Sequence, residues 1–350
     1  MGIWYCTGED VKSALDIAAT ARTDAQVYRV IEHSSRGVEG RLHRRFYPQV
    51  ATRYFDWPNY QRALPWRLWL ESNELADITT VVTGSTTLPV GAYFLRRSDD
   101  VDEPPYDHVE LNLSSTSAWS VGGTHQRSIA ITGTYIGCPV VSDVAGALAA
   151  AVSTTTTITA DVTNSTVIGV GSLIKIDSER MIVRAKSQLT TGQTIQAALG
   201  ASVAEVSVSV SDGTAFAVGE TVLIDSERML IIDVAGNTLA VKRAYDGSVL
   251  AAHAGSTIYA PRRLTVDRGV LGTTAATHLN AAPVTKMVYP GPVTTLTIAE
   301  SLTILLQEGA GYARTAGSGD NVREIIGRSL GDVREEAEAA NGRRARLGVI

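Results

Sequence analysis

Apolar residues recur three and four apart between Thr23 and Tyr47. Val27, Val30, Ile31, Val38, Leu42 and Phe46 share one face, while Arg29, Glu32, Arg36, Glu39 and Arg45 take the others. This period predicts a long amphipathic helix, and Thr23 with Gln26 three residues on forms a capping box at its start. A shorter helix is expected over 7–21, N-capped by Thr7 with Val11, Leu15 and Ile17 or Ala18 inward, so that the two make an antiparallel hairpin. One apolar stripe cannot be buried alone. Its cover is expected from both ends of the chain, because the helical period returns late. Thr297 and Glu300 make a second capping box beside the stripe Ile298, Leu302, Leu305 and Leu306. Residues 309–319 interrupt that pattern, and a last helix from about Asn321 carries Val322, Ile325, Ile326, Leu330 and Val333 to near Gly342. Its Gly327 and Gly331 each weaken it by about 1 kcal/mol relative to alanine, so it needs a partner.

Between these ends the period shortens to two. Residues 52–57, 66–70, 78–82, 93–96, 109–113 and 129–136 are short strand candidates separated by Pro, Gly, Asp and Ser. All five tryptophans precede residue 120. Tyr54, Phe55, Trp57, Tyr60, Trp66 and Trp69 read as core or subunit-interface packing, or else as a stacking platform for sugars or bases. A third helix is expected over 140–152, with Pro139 suited to its first turn and Val140, Val141, Val144 and Leu148 apolar. From 153 to 292 the chain is rich in Thr, Val, Ile, Gly and Ser with frequent turns, which predicts an all-β region.

That region contains an internal repeat. VGSLIKIDSERMIV (170–183) matches VGETVLIDSERMLI (218–231), and VKRAYDGSVLAAH (241–253) matches VDRGVLGTTAATH (266–278), with Arg, Gly and His at the same spacing. Both first halves precede both second halves, so a tandem duplication does not explain the order. The inner copy, 218–254, is joined through the hairpin signal Ala235-Gly236-Asn237-Thr238. The outer copy pairs 170–183 with 264–279 and is split between about Ala185 and Leu264. One small β-module is therefore expected to be inserted within another, the two packing side by side. The fold class that follows is α+β: a helical bundle platform built from both chain ends with short strands, plus two nested β-modules. Its parts are residues 1–152, an insert over 153–292, and 293–350 completing the core.

Composition narrows the class. The 350 residues are 44% hydrophobic and 19% charged, which describes a globular chain with room for two or three cores. No stretch approaches the roughly 20 apolar residues of a membrane span, and the first residues lack the blocks of a secretory signal, so a cytoplasmic site of synthesis and no membrane partner are expected. Cys6 and Cys138, without CxxC spacing, read as small apolar residues. Net charge is −5, but residues 71–295 hold 14 basic and 21 acidic side chains. An acidic middle argues against tight binding of nucleic acid there.

Candidate chemistry is sparse. Asp177 and Glu179, and again Asp225 and Glu227, place carboxylates two apart, a spacing that on a strand suits Ca²⁺ or acid–base work. Each triplet, however, lies between apolar runs where a turn is expected. His253 and His278 recur equivalently without further ligands at metal spacing, so capping or packing is the expected role. No GxSxG, HExxH, P-loop or complete GxGxxG occurs. No cofactor and no metal is expected. The terminus Arg343, Arg344, Arg346, Leu347, Val349 and Ile350 reads either as a frayed end or as a basic-hydrophobic docking peptide.

Four stretches together resemble the head-tail adaptors, or connector and head-completion proteins, of long-tailed bacteriophages infecting actinobacteria. They are WYCTGEDVKSALDI, RGVEGRLHRRFYPQVATRYFDWP, RSIAITGTYIGCPVV and LTIAESLTILLQEGAGYARTAGSGD. The resemblance covers about 1–152 and 294–350, and the β-insert is similar to that of actinophage members. It implies a structural, non-enzymatic virion protein at the neck, assembled in the host bacterial cytoplasm. The expected assembly is a dodecameric ring beneath the portal protein that continues the channel for double-stranded DNA without binding it specifically. A tail-side connector or stopper protein would be a further partner. In such adaptors the C-terminal helix and tail dock on the portal, which maps onto 321–350. Lateral packing of neighbouring subunits is expected from Val27, Val30, Ile31, Val38, Leu42 and Phe46. Adaptors of smaller phages lack a β-insert of this size; here it is expected to clamp neighbouring subunits, touch the capsid vertex or bind host glycans. The rivals are a glycan-binding tail or baseplate protein using the tryptophans, and a cell-wall hydrolase using the acidic triplets.

Overall fold

The computed structural model describes residues 2–15, 24–58, 64–71, 73–99, 101–309 and 329–342. Helix α1 (Gly8–Ala14) and helix α2 (Asp24–Leu42) open the chain. Strands β1 (Gln49–Phe55), β2 (Arg67–Trp69), β3 (Leu75–Thr83), β4 (Thr86–Thr87), β5 (Tyr93–Arg96), β6 (His108–Leu111) and β7 (Ile129–Tyr135) follow. Next come β8 (Val141–Ala147), β9 (Thr159–Asp161), β10 (Leu173–Ile176), β11 (Glu179–Thr194), β12 (Ser207–Ser209) and β13 (Thr221–Ile224). Then β14 (Glu227–Ala235), β15 (Thr238–Lys242), β16 (Thr257–Asp267) and β17 (Pro283–Val288) lead to α3 (Gly291–Gly309) and α4 (Leu330–Asn341). Strand outweighs helix, about 36% against about 20%, so the class is mixed with sheet dominant.

The first β-rich layer forms as its alternation predicts. A four-stranded sheet in the order β1-β7-β3-β4 and a three-stranded sheet β2-β6-β5 share a core of Phe55, Leu68, Leu75, Val81, Val109, Trp119, Ile129 and Ile131. The indoles are fastened inside it: Trp57 Nε1 donates to the Trp119 carbonyl at 2.9 Å, and Trp119 Nε1 to that of Trp66 at 3.1 Å.

The expected helix over 140–152 is instead strand β8 followed by an extended run. The β-branched valines favour the pleated state, Gly146 adopts φ 87°, and Val141 to Ala147 pair antiparallel with β17. Val140, Val141 and Val144 are exposed, while Leu148 is buried. The large sheet therefore begins before residue 153.

That sheet resolves the repeat. The outer module runs β9-β16-β11-β10-β17-β8 and the inner one β12-β15-β14-β13-β16-β11, so equivalent strands occupy equivalent places. Two strands serve both. The first part of β11 and the last part of β16 belong to the outer module; their remaining parts are the first and last strands of the inner one. Pairs match in register: Ile176↔Glu179 with Ile224↔Glu227, Val183↔Val266 with Ile231↔Val241, and Ala160↔Leu264 with Val208↔Leu239. Ser187↔Arg263 corresponds to Ala235↔Thr238, the pair that flanks the Gly236-Asn237 turn. The inner module thus sits where the outer one would have its hairpin tip. Each ring of strands closes on itself, by Ala149 N–H to the Asp161 carbonyl and Thr163 N–H to that of Ala147 outside, and by Gln196 N–H to the Ser209 carbonyl inside. Each has its own core: Leu148, Val162, Ile174, Met181 and Leu264 in one, Ile195, Val208, Val222, Met229 and Leu239 in the other.

The helices lie on the outer module and share its residues. Val38 and Leu42 of α2 pack with Ile3, Tyr5, Leu173, Ile182, Met287, Val293, Leu296, Val333 and Ala337. Val27, Val30 and Ile31 pack with Trp4, Cys6, Val11, Val170 and Leu305. The six residues expected at subunit contacts are therefore 0–2% exposed within this one chain, where each large apolar side chain contributes about 1.5–3 kcal/mol by burial. Helix α2 stops at Leu42 because His43 turns left-handed (φ 53°), and Phe46 reaches the same core from the segment beyond. Its start at Thr23 lies outside the described residues. Helix α1 ends at Ala14 with Leu15 as its C-cap, and the rest of the expected span, 16–21, lies outside the described residues; it carries the Thr7 cap as a capping box with Asp10 and contacts both α2 and α3.

Helix α3 begins at Gly291, so Thr297 lies inside it, buried, with its hydroxyl donating to the Val293 carbonyl rather than capping. The buried stripe is accordingly Val293, Leu296, Thr297, Ser301 and Leu305, and Leu306 is exposed. Helix α4 begins at Leu330 under a Ser329–Asp332 capping box and ends at Gly342 (φ 65°), as the glycine signal predicts; the earlier part expected for it, 321–328, lies outside the described residues. Gly171 (φ 82°) joins the chain start to the outer module. Its carbonyl accepts from Trp4 N–H at 3.0 Å, and a β-carbon there would fall 2.2 Å from the indole.

If the inner module is an insertion at a hairpin tip, replacing residues 188–262 with Gly-Asn should leave the helices and outer module folded, with a cooperative melt. Loss of the tertiary signal or of cooperativity in circular dichroism would mean that the outer module cannot close alone.

Candidate functional site

The acidic triplets lie where turns were expected, with one difference. Asp177-Ser178 and Asp225-Ser226 are two-residue turns, each Asp left-handed (φ 51° and 52°), but Glu179 and Glu227 are the first residues of β11 and β14 and point inward at 0% exposure. Burying a carboxylate requires partners, and the second repeat half supplies them. Arg268 Nε and Nη2 each donate to Glu179 at 2.7 Å, the Gly269 and Ala276 amides at 2.8 and 2.9 Å, and His278 Nε2 lies 2.8 Å away. In the inner copy Arg243 donates twice to Glu227 at 2.8 Å, Ala244 and Ala251 at 2.8 and 2.9 Å, and His253 Nε2 lies at 3.0 Å. The other ring nitrogens, Nδ1 of His278 and His253, lie 2.7 Å from Asp177 and Asp225. Each ring thus bridges the exposed aspartate of the turn and the buried glutamate that follows it.

The arginines also tie loops down. Arg268 Nη1 donates to the Thr157 carbonyl at 2.9 Å and Nη2 to that of Ala276, while Arg243 reaches the carbonyls of Gly200, Glu205 and Ala251. Burial alone would raise both glutamates. The bidentate arginine, the alanine amide, the histidine and the second amide outweigh it and hold Glu179 and Glu227 at about 2. Five donors fill the roughly four lone-pair directions of each carboxylate. Neither glutamate has an oxygen left for a metal or a proton transfer, so these are buried staples of the modules.

A third buried pair is not repeated. Arg262 Nε and Nη2 donate to Glu220 at 2.8 and 2.6 Å, and Ser165 of the outer module donates to the same carboxylate at 3.3 Å. Ser172 stands where the outer module would carry the equivalent of Glu220, so this contact belongs to the junction.

Elsewhere, Cys6 and Cys138 are free and buried, and burial pushes the Cys138 thiol up to about 12, away from reactivity. Trp57 and Trp66 are half-buried against the first core, and the exposed Trp69 lies tilted against His108 with centroids 4.6 Å apart. Tyr60 and the whole expected docking set, Arg343, Arg344, Arg346, Leu347, Val349 and Ile350, lie outside the described residues. The arginine partners were flagged by the repeat, which keeps Arg, Gly and His at fixed spacing. Their pairing with glutamates up to 89 residues away was not, because only the fold brings them together.

Removing one partner strands the other charge in the core. Glu227→Ala or Arg243→Ala should each cost about 3–5 kcal/mol, read as a fall in the urea midpoint with unchanged slope. Because the folded-state values of Glu179 and Glu227 lie below the ordinary 4.5, the stability they supply is complete above about pH 4.5 and drains as pH falls toward 2. Denaturation midpoints measured from pH 6 to pH 2 should show that loss, and a pH-independent midpoint would contradict it.

The chain matches no protein-family model, no curated protein and no solved structure.

Proposed function

We propose that the protein is a non-enzymatic head-tail adaptor of a long-tailed bacteriophage, a ring-forming subunit that joins the portal of the DNA-filled head to the tail. The observation that carries this reading is the meeting of the two ends of the chain. Ile3, Tyr5, Val38, Leu42 and Phe46 from the front close one core with Met287, Val293, Leu296, Val333 and Ala337 from the back. The stretches that resemble the adaptor family fall largely on this assembly and on β1 and β7 beside it. In the proposed ring the helical layer is the platform, the β-modules project from it, and the segment after Gly342 docks on the portal.

Two observations weigh against the rivals. A hydrolase using the acidic triplets would need both carboxylates of a pair, whereas Glu179 and Glu227 are each saturated by an arginine, two amides and a histidine, which leaves only the exposed Asp177 and Asp225, each 2.7 Å from a histidine nitrogen. A glycan platform would need a set of exposed indoles, whereas Trp57 and Trp66 are half-buried against the first core and Trp69 alone of the three expected tryptophans is exposed.

Truncation after Gly342 should abolish binding to the portal while leaving the thermal melt unchanged. Unchanged portal affinity would remove the tail from the reading, and purified protein that forms no ring with its portal in electron micrographs would remove the adaptor itself.

A further inference from the structure

The end of α2, the segment after it and the facing parts of β1 and β7 enclose a cleft of about 500 Å3. Arg36, Arg44, Arg45 and Arg53 line it with two acids, Glu39 and Glu74. Both acids are engaged. Arg36 lies 2.5 Å from Glu39, to which the Tyr5 hydroxyl also donates at 2.7 Å, and Arg44 lies 3.1 Å from Glu74. The remaining two arginines have no carboxylate partner among the described residues. Arg53 lies 4.0 Å over the Tyr135 ring and donates only to the neutral amides of Asn73 and Gln49. Arg45 is exposed at the mouth. Burial first, and then the charge of Arg45, hold Arg53 below its ordinary value, as expected of two cations in reach of each other.

We propose that this cleft binds a dianionic phosphate group, held between the guanidinium groups of Arg45 and Arg53. Two uncompensated positive charges are matched by one phosphate carrying close to two negative charges, where a single carboxylate would match only one. The planar guanidinium fork also fits two phosphate oxygens at once. Arg53 is pre-positioned by the ring beneath it and the amides beside it, so little side-chain freedom is lost on binding. The site does not depend on the adaptor reading and stands or falls separately.

Calorimetric titration of the full chain with inorganic pyrophosphate at constant ionic strength tests it. Binding should weaken about tenfold or more in Arg53→Gln and in Arg45→Gln, each of which removes a charge-assisted hydrogen bond. Arg45 is exposed, so its variant should keep the wild-type melt, and Arg53→Lys should recover part of the affinity. A short thymidylate oligonucleotide with and without a 5′-phosphate separates sources: dependence on that phosphate indicates an end group, and binding of pyrophosphate alone indicates a free phosphate. No heat with pyrophosphate, affinity indifferent to both substitutions, oligonucleotide binding indifferent to the 5′-phosphate, or tighter binding of an oligoglutamate peptide would each overturn the proposal.

Discussion

The long antiparallel ladder between β11 and β16 is the constraint from which the β-architecture follows. Neither strand belongs to one module. Each crosses from the outer ring into the inner one, so the two rings cannot slide or separate without breaking backbone hydrogen bonds along the shared ladder. A one-residue slip would turn every inward side chain outward. The ladder thereby fixes Ile258 and Ala260 in one core and Leu264 and Val266 in the other. Bulges between Val183 and Ala185 and between Ser187 and Leu189 let it bend between the two curvatures.

The buried ion pairs act on this frame at specific points. Glu179 with Arg268 and Glu227 with Arg243 each join the start of a hairpin to the loop beyond its neighbouring strand, while Glu220, held by Arg262, joins the modules through Ser165. Such pairs repay their desolvation only with near-complete hydrogen bonding, and the two repeated ones have it. Each copy ties the same turn to the same loop of its own module, so the pairing repeats with the fold.

Much of this was legible from residues. The Asp-Ser and Gly-Asn turns, the β-strands up to Tyr135, the Thr7 cap and the nested repeat are local signals, and each appears where it was expected. The failures are equally physical. Over 140–152 a run of Val and Ala is compatible with either period, and pairing with β17 decided the outcome. At Thr297 a capping pattern lay inside a helix already begun at Gly291, because the Pro292 start competes with it. The apolar stripe of α2 was rightly seen as needing a cover, but sequence cannot distinguish a cover from within the chain from one on a neighbour; Val27 to Leu42 are covered from within. The arginine cleft was invisible, since only the fold brings Arg45 and Arg53 to the lining of one cleft.

Insertion at a hairpin tip also changes what chain length means for the outer module. Ala185 and Thr265 are paired although 80 positions apart, and loop-closure entropy rises by about 0.6 kcal/mol for each doubling of such a span. Once the inner ring has formed, its own first and last strands already hold Ser187 opposite Arg263. The outer halves then meet as though a two-residue turn joined them, and the distance along the polypeptide ceases to count against their closure.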